Sequence, residues 1–312
     1  TGIVGCASIE DYFNDVILKH ELTRPDKEED RKSHVRATNM NAEPVFFAYR
    51  AVEKLDEIMS GISKTKPLYD FIAPDKVRHV IWQVSDPAMI QSITAEFEKI
   101  ENTYVADGHH RTAAAALVGR ELRNKNPHHQ GIEEYNYFLA VHFPHDQLRI
   151  IDYNRVVKDL NGLSEKDFLT SLEEKFTVRS KGKTPYAPQK PHEFSMYLDG
   201  KWYQLETKKG IWDEKDPVDV LDVTILYKQI LHPVLGIEDL RKDQRIEFVG
   251  GIRGLEELKR RVDNKEMKVA FALYPVSMEQ LMAIADSGQI MPPKTTWFEP
   301  KLRSGLFVHM LS

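Results

Sequence analysis

The chain has 312 residues with 43 basic and 48 acidic side chains, a formal net charge of −5, so it lacks the positive excess through which proteins gain affinity for nucleic acid by counterion release. A hydrophobic fraction of 41% with 10% aromatic residues is globular and suits one large or two ordinary domains. The single cysteine, Cys6, excludes an intramolecular disulfide and reads as a core residue, and no stretch reaches the roughly 20 apolar residues of a membrane span, so a cytoplasmic protein with neither membrane nor nucleic-acid partner is the default.

The first residue, Thr1, is not a methionine, and residues 2–8 open directly on a strand-like run, as a fragment would. Ile9 to Lys19 has helical spacing of Ile9, Tyr12, Phe13, Val16 and Ile17. Asp26 to Arg36 reads as a charged, solvated helix. "PVFFAYR", "HVIWQV" and "NTYVA" read as strands, with a helix between the last two that has Asp86 before it and Pro87 in its first turn. "NYFLAVHF" and "LRIIDYNRVV" are expected to pair as a hairpin across Pro144, His145 and Asp146.

Beyond these, "SEKDFLTSLEEKF" is an amphipathic helix capped by Ser164, and "EFSMYLDGKWYQLE" is a hairpin turning at Asp199-Gly200. "PVDVLDVTILYKQIL" predicts a helix begun by Pro217. "RIEFVGG" gives a strand, "LEELKRRV" a helix, and "VAFALYPVSMEQLMAIADSG" a strand and then a helix with Ser277 and Gln280 at capping-box spacing. The class is α+β or mixed α/β, and the loops near residues 125–132 and 184–191 are the candidate boundaries.

The stretch with chemistry in it is "YVADGHHRTAAAALVGREL". A strand ends near Ala106, Asp107-Gly108 makes a turn, and a helix begins at about His110. That geometry sets unpaired backbone N–H groups and the positive end of a helix dipole beside His109, His110 and Arg111, an arrangement suited to phosphate. Gly108 permits close approach, Arg111 can clamp two phosphate oxygens, and a histidine can supply a hydrogen bond or a proton. Thr112 follows in the first helical turn and completes the candidate phosphate- and nucleotide-binding set with Gly108, His109, His110 and Arg111. Asp107 would repel phosphate without a cation between them, which leads to the expectation of Mg²⁺ held by Asp107. The alternative is structural: Asp107 caps the helix and the histidines lie on the surface. Zinc is disfavoured, because adjacent helical residues point about 100° apart, and His142 and His145 flank a turn without carboxylate or cysteine partners.

"DGHHRTAAA" resembles the phosphate-binding turn of the ParB/sulfiredoxin-like fold, in particular the "DGHHR" signature of free serine kinases. Through "KHELTRPDKEEDR", "FPHDQLRIIDYNRVVKDLNGL", "RIEFVGGIRGLEELKRRV" and "MPPKTTWFEPKLRSGLFVH" the chain is similar to the family of domain of unknown function 1015 over nearly its whole length. The resemblance implies an α+β fold: a ParB/sulfiredoxin-like mixed sheet with helices over residues 1–130, enlarged by a C-terminal α+β region at 131–312 packed on it, and a further segment before Thr1.

It also implies phosphoryl transfer, with free serine or O-phosphoserine as the small-molecule partner and ATP, ADP or pyrophosphate as donor. A glutamate in "KHELTRPDKEE" takes the serine proton; Glu21 is the first choice, ahead of Glu28 and Glu29, which also read as helix-surface charges. Asp107, His109 and His110 join it in the catalytic set. Arg24, Lys27 and Arg31 are candidate phosphate contacts, and Arg155, Arg253, Lys294, Trp297, Lys301 and Arg303 are candidate substrate contacts, with Trp297 and Phe298 alternatively folding back as a plug. A phosphoserine phosphatase and a ParB-like nucleotide-binding regulator are the alternatives. Sulfiredoxin chemistry is set aside, since His109 stands where its nucleophilic cysteine would be.

Overall fold

The structure, a computed structural model, describes residues 1–312. It divides into two compact units, Thr1–Leu148 with Pro300–Ser312, and Arg149–Glu299. Each combines sheet and helix, so the fold is α+β as the sequence led us to expect. No helix is long and apolar enough to cross a membrane.

In the first unit the order is β1 (Ile3–Ser8), α1 (Ile9–Phe13), β2 (Ile17–Leu18), α2 (Pro25–Thr38), β3 (Met40–Asn41), β4 (Val45–Tyr49), α3 (Glu53–Ser63), β5 (Tyr69–Ile72), β6 (Arg78–Ile81), α4 (Pro87–Phe97), β7 (Thr103–Asp107), α5 (His109–Lys125) and β8 (Tyr137–Pro144). Five of the strands form a mixed sheet in the order β1-β8-β4-β7-β2. β4 takes the centre because "VFFAY" has no charge to solvate and is buried along its whole length. β8 lies parallel to it and β7 antiparallel.

Helix α5 buries Ala113, Ala114, Ala115 and Ala116, and the methyl groups of Ala115 and Ala116 join Val45, Phe47, Val105 and Phe138 of the sheet in one core. Small side chains let the helix come close, and one turn further on Gly119 sits against Tyr135 and Ile9. A Cβ at Gly119 would stand 2.3 Å from the Tyr135 carbonyl oxygen and 3.1 Å from Ile9 Cγ2. Gly119→Ala is therefore expected to destabilise the fold by about 1–3 kcal/mol, the usual cost of overpacking. Urea unfolding reads this directly, and an unshifted midpoint would show that the backbone around Tyr135 yields without cost.

The second unit contains β9 (Tyr153–Val157), α6 (Glu165–Leu172), β10 (Phe176–Gly182), β11 (Glu193–Leu198), β12 (Lys201–Thr207), α7 (Asp222–Leu226), β13 (Ile246–Gly250), α8 (Gly254–Asp263), β14 (Val269–Leu273) and α9 (Met278–Asp286). Its six strands form a fully antiparallel sheet, β10-β12-β11-β14-β9-β13. The β11–β12 hairpin closes on the pair Leu198 and Lys201, with Asp199 and Gly200 both at positive φ, the backbone that a two-residue primed turn requires. Ser164 caps α6, and Ser277 and Gln280 form a full capping box on α9. The chain then returns to the first unit, where β15 (His309–Met310) pairs with β3.

Four expectations are corrected. The helix from Ile9 stops at Phe13, because Asp15 takes a left-handed backbone and the chain turns into β2, which pairs with β7. Cys6 is exposed, since β1 is an edge strand with one face open. β8 and β9 do not form a hairpin: β8 is filled on both sides by β1 and β4, and β9 by β13 and β14. Pro217 begins no helix, because the Asp216 carboxylate captures the N–H groups of Val218 and Asp219 in a turn, and α7 starts only at Asp222, with the five residues Tyr227–Leu231 continuing it as a wider π turn.

Candidate functional site

The Asp107-Gly108 turn joins the end of β7 to the start of α5, with Gly108 at φ 96° in the N-cap position. No side chain caps this 17-residue helix, so its first-turn N–H groups carry the exposed end of the dipole. The Arg111 guanidinium folds back over the turn: its Nη2 and Nε lie 3.0 and 3.1 Å from where a Gly108 Cβ would be. Glycine is required there on two grounds, the left-handed backbone and the guanidinium above it. The other edge of Arg111 is anchored, with Nη1 donating to Glu43 Oε2 at 2.9 Å and to the Pro44 carbonyl at 3.0 Å. Thr112 is fully buried, and its hydroxyl donates to the Gly108 carbonyl.

The loop Lys19–Arg24, ahead of α2, meets this turn. His20 is 1% exposed and His109 6%, and their rings pack edge to face with centroids 4.4 Å apart. Neither nitrogen of His20 nor Nε2 of His109 makes a hydrogen bond of good geometry, although the Val105 carbonyl lies near His20. Burial pushes His20 down to about 4, against the opposing pull of the Asp107 charge and the Val105 carbonyl. Burial pushes His109 well down too, and the positive charge that His20 or His110 would carry if protonated, and that of Lys19, act in the same direction. Both imidazoles are therefore neutral near pH 7. Glu21 comes to the same place, its Oε2 4.0 Å from His109 Nδ1 and its side chain 38% exposed. His110 Nε2 accepts the Arg24 N–H at 3.0 Å, and burial lowers this imidazole as well, with the Arg24 charge second.

The competing carboxylates have other engagements. Thr23 donates to Glu28 at 2.9 Å, and Glu29 is paired with Lys32 and Arg36 on the surface of α2. Asp107, expected to hold Mg²⁺, faces a cation of another kind: Lys301 Nζ stands 3.1 Å from its Oδ2. No group of three or more histidine, cysteine, aspartate or glutamate side chains converges to hold a metal. Asp107 is one carboxylate at this turn, paired with Lys301, and a Mg²⁺ that it held would take its remaining ligands from phosphate oxygens and water.

Arg24 pairs with Asp26, and Arg303 with Asp75 in the first unit. In the second unit Arg155, Lys294 and Trp297 gather around Tyr153. Arg155 is fully buried, donates to the carbonyls of Tyr153 and Lys294, and is pushed down to about 9 by burial. The Lys294 ammonium lies over the Tyr153 ring, Trp297 packs edge-on against the same ring, and Phe298 is buried, the plug arrangement. Arg253 is exposed on the turn after β13. His142 sits among Phe47 and Phe97, and His145 Nδ1 accepts the Ala51 N–H.

Sequence reasoning missed His20, Glu43 and the pairing of Lys301 with Asp107. His20 adjoins Glu21 in "KHEL", and that adjacency was the available signal; Glu43 had none, since it matters only through Arg111.

The family described as "Protein of unknown function (DUF1015)" matches residues 1–224. No curated protein matches the chain. Among solved structures, SbnI with a C-terminal truncation, from Staphylococcus aureus, is similar in fold over 98% of this chain and 87% of its own, at 13% identity and a TM-score of 0.51. A free serine kinase in complex with AMP is similar over 97% of this chain and 90% of its own, at 14% identity and a TM-score of 0.44. A conserved hypothetical protein from Pyrococcus furiosus is similar over 97% and 94%, at 14% identity and a TM-score of 0.43.

Proposed function

This chain belongs to the DUF1015 family, and from that premise we propose that it is a phosphotransferase acting on free serine or O-phosphoserine, with a nucleotide or pyrophosphate as donor. The observation that carries the reading is the convergence of Glu21, from the loop before α2, on the uncapped start of α5, where Arg111 folds over Gly108. The α5 N–H groups and Arg111 hold the phosphate oxygens. The serine oxygen attacks phosphorus while its proton passes to the Glu21 carboxylate, and the bond from phosphorus to the leaving oxygen breaks with its electron pair. His109, neutral and buried against His20, shapes the wall beside Glu21 without adding charge. With water as the attacking group, the same residues would hydrolyse phosphoserine.

The test is phosphorus NMR of the protein with Mg²⁺, serine and, in turn, ATP, ADP and pyrophosphate. A phosphoserine signal supports the kinase, and binding without turnover turns the reading into that of a nucleotide-sensing regulator. Arg111→Ala is expected to weaken pyrophosphate binding by about 1.5–3 kcal/mol, the scale of hydrogen bonds to a charged group. Unchanged affinity by calorimetry, in a variant that still unfolds cooperatively, would remove Arg111 from the phosphate site.

A further inference from the structure

We infer that Lys301, carried onto the Gly108 turn by the C-terminal segment, is a phosphate-contacting residue that takes the place beside Asp107 expected for a divalent cation; the inference rests on phosphate binding at the start of α5. An aspartate next to a phosphate site is a problem of like charges, and something positive must lie between them. Here Lys301 Nζ is 3.1 Å from Asp107 Oδ2, and its side chain is half exposed, so solvent and solutes reach it. An ammonium carries three N–H donors, so Asp107 and a phosphoryl oxygen are compatible partners for one lysine.

The same segment sets the second charge at the turn. Ser304 donates to Glu43, the carboxylate that anchors Arg111, and Gly305 N–H bonds the Ala42 carbonyl at 2.8 Å. β15 then zips onto β3 through His309 and Met310. A segment fastened at Ala42, Asn41 and Met40 thus holds Lys301 on Asp107, the residue before Gly108, and braces Glu43, which anchors the Arg111 guanidinium folded over Gly108. The arrangement makes the last residues of the chain part of the phosphate site.

Calorimetric titration of the whole protein with inorganic pyrophosphate, in EDTA and again with Mg²⁺, tests this. In EDTA, wild type is expected to bind and Lys301→Met to bind roughly 10- to 100-fold more weakly, the loss expected for a charged hydrogen bond. Lys301→Arg should stay within about 3-fold of wild type, and Asp107→Asn should bind at least as well, because the lysine is then released to the phosphate. Lys242→Met, the same charge change at a lysine whose side chain is 85% exposed, controls for the overall field. The inference is overturned if Lys301→Met matches wild type, or if wild type binds only with Mg²⁺ and Asp107→Asn abolishes that binding. Absence of pyrophosphate binding by wild type under both conditions overturns instead the phosphate reading beneath it.

Discussion

Replacing Glu21 by Gln is expected to lower conversion of serine to phosphoserine by roughly 10²–10⁴-fold, the usual contribution of a positioned general base, while donor affinity hardly changes. Gln keeps the size and the hydrogen-bonding reach of Glu but cannot take a proton. Glu21 has the position for the role: it lies beside the first residue of α5, partly open to solvent, next to a neutral imidazole. Glu28 and Glu29 do not, since one accepts the Thr23 hydroxyl and the other is spent on two cations of its own helix surface. Turnover by phosphorus NMR and donor affinity by calorimetry should be measured for Glu21→Gln beside Glu28→Gln and Glu29→Gln. Full activity in the Glu21 variant rejects the assignment, loss in a neighbour moves the base, and joint loss of turnover and donor affinity makes Glu21 a binding or structural residue.

What the sequence made legible is what depends on neighbours in the chain. The strand, turn and helix around Gly108 follow from an apolar run ending in Asp-Gly and then four alanines, and the structure has that turn with Gly108 in the left-handed region. The β11–β12 hairpin and the α9 capping box were legible for the same reason: turn chemistry and caps act over two to four residues. The β8–β9 pairing failed because proximity in sequence cannot say which edges of a sheet are still open. With β1 and β4 on either side of β8, its edges were already taken.

The site shows the same division. The order of glycine, histidines and arginine is a local pattern, and the proposed anion site is read from it. The partner of Asp107, Lys301, is 194 residues away, and no local pattern links the two. His20 is a similar case, because a histidine is a switch, a ligand or a silent core residue according to how much water surrounds it, and burial is a property of the fold. With both His20 and His109 neutral, positive charge at the turn falls to Arg111, Lys301 and the α5 dipole.

Neutral buried histidines also make the fold sensitive to acid, and this is the second large effect. His20 and His142 are held at about 4, against 6.5 in an unfolded chain. The lowered native value means that the unfolded state binds the proton first. Stability is fully present above pH 6.5, falls as pH drops from 6.5 to 4, and levels off below 4 as far as these two groups are concerned. Each contributes a slope of about 1.4 kcal/mol per pH unit within that window, a total on the order of 3 kcal/mol per histidine. His109, lowered in the same direction, steepens the fall. The measurement is the urea midpoint at a series of pH values from 7.5 to 4.5. His142 lies among Phe47 and Phe97 with its Nδ1 sealed from water, so His142→Leu tests its share without touching the Gly108 turn. That variant should lose one histidine's worth of slope and keep the rest. A wild type of constant stability down to pH 5 would mean that these imidazoles find protons or partners the buried geometry denies them, and a variant with the full slope would assign the whole acid sensitivity to the His20–His109 pair.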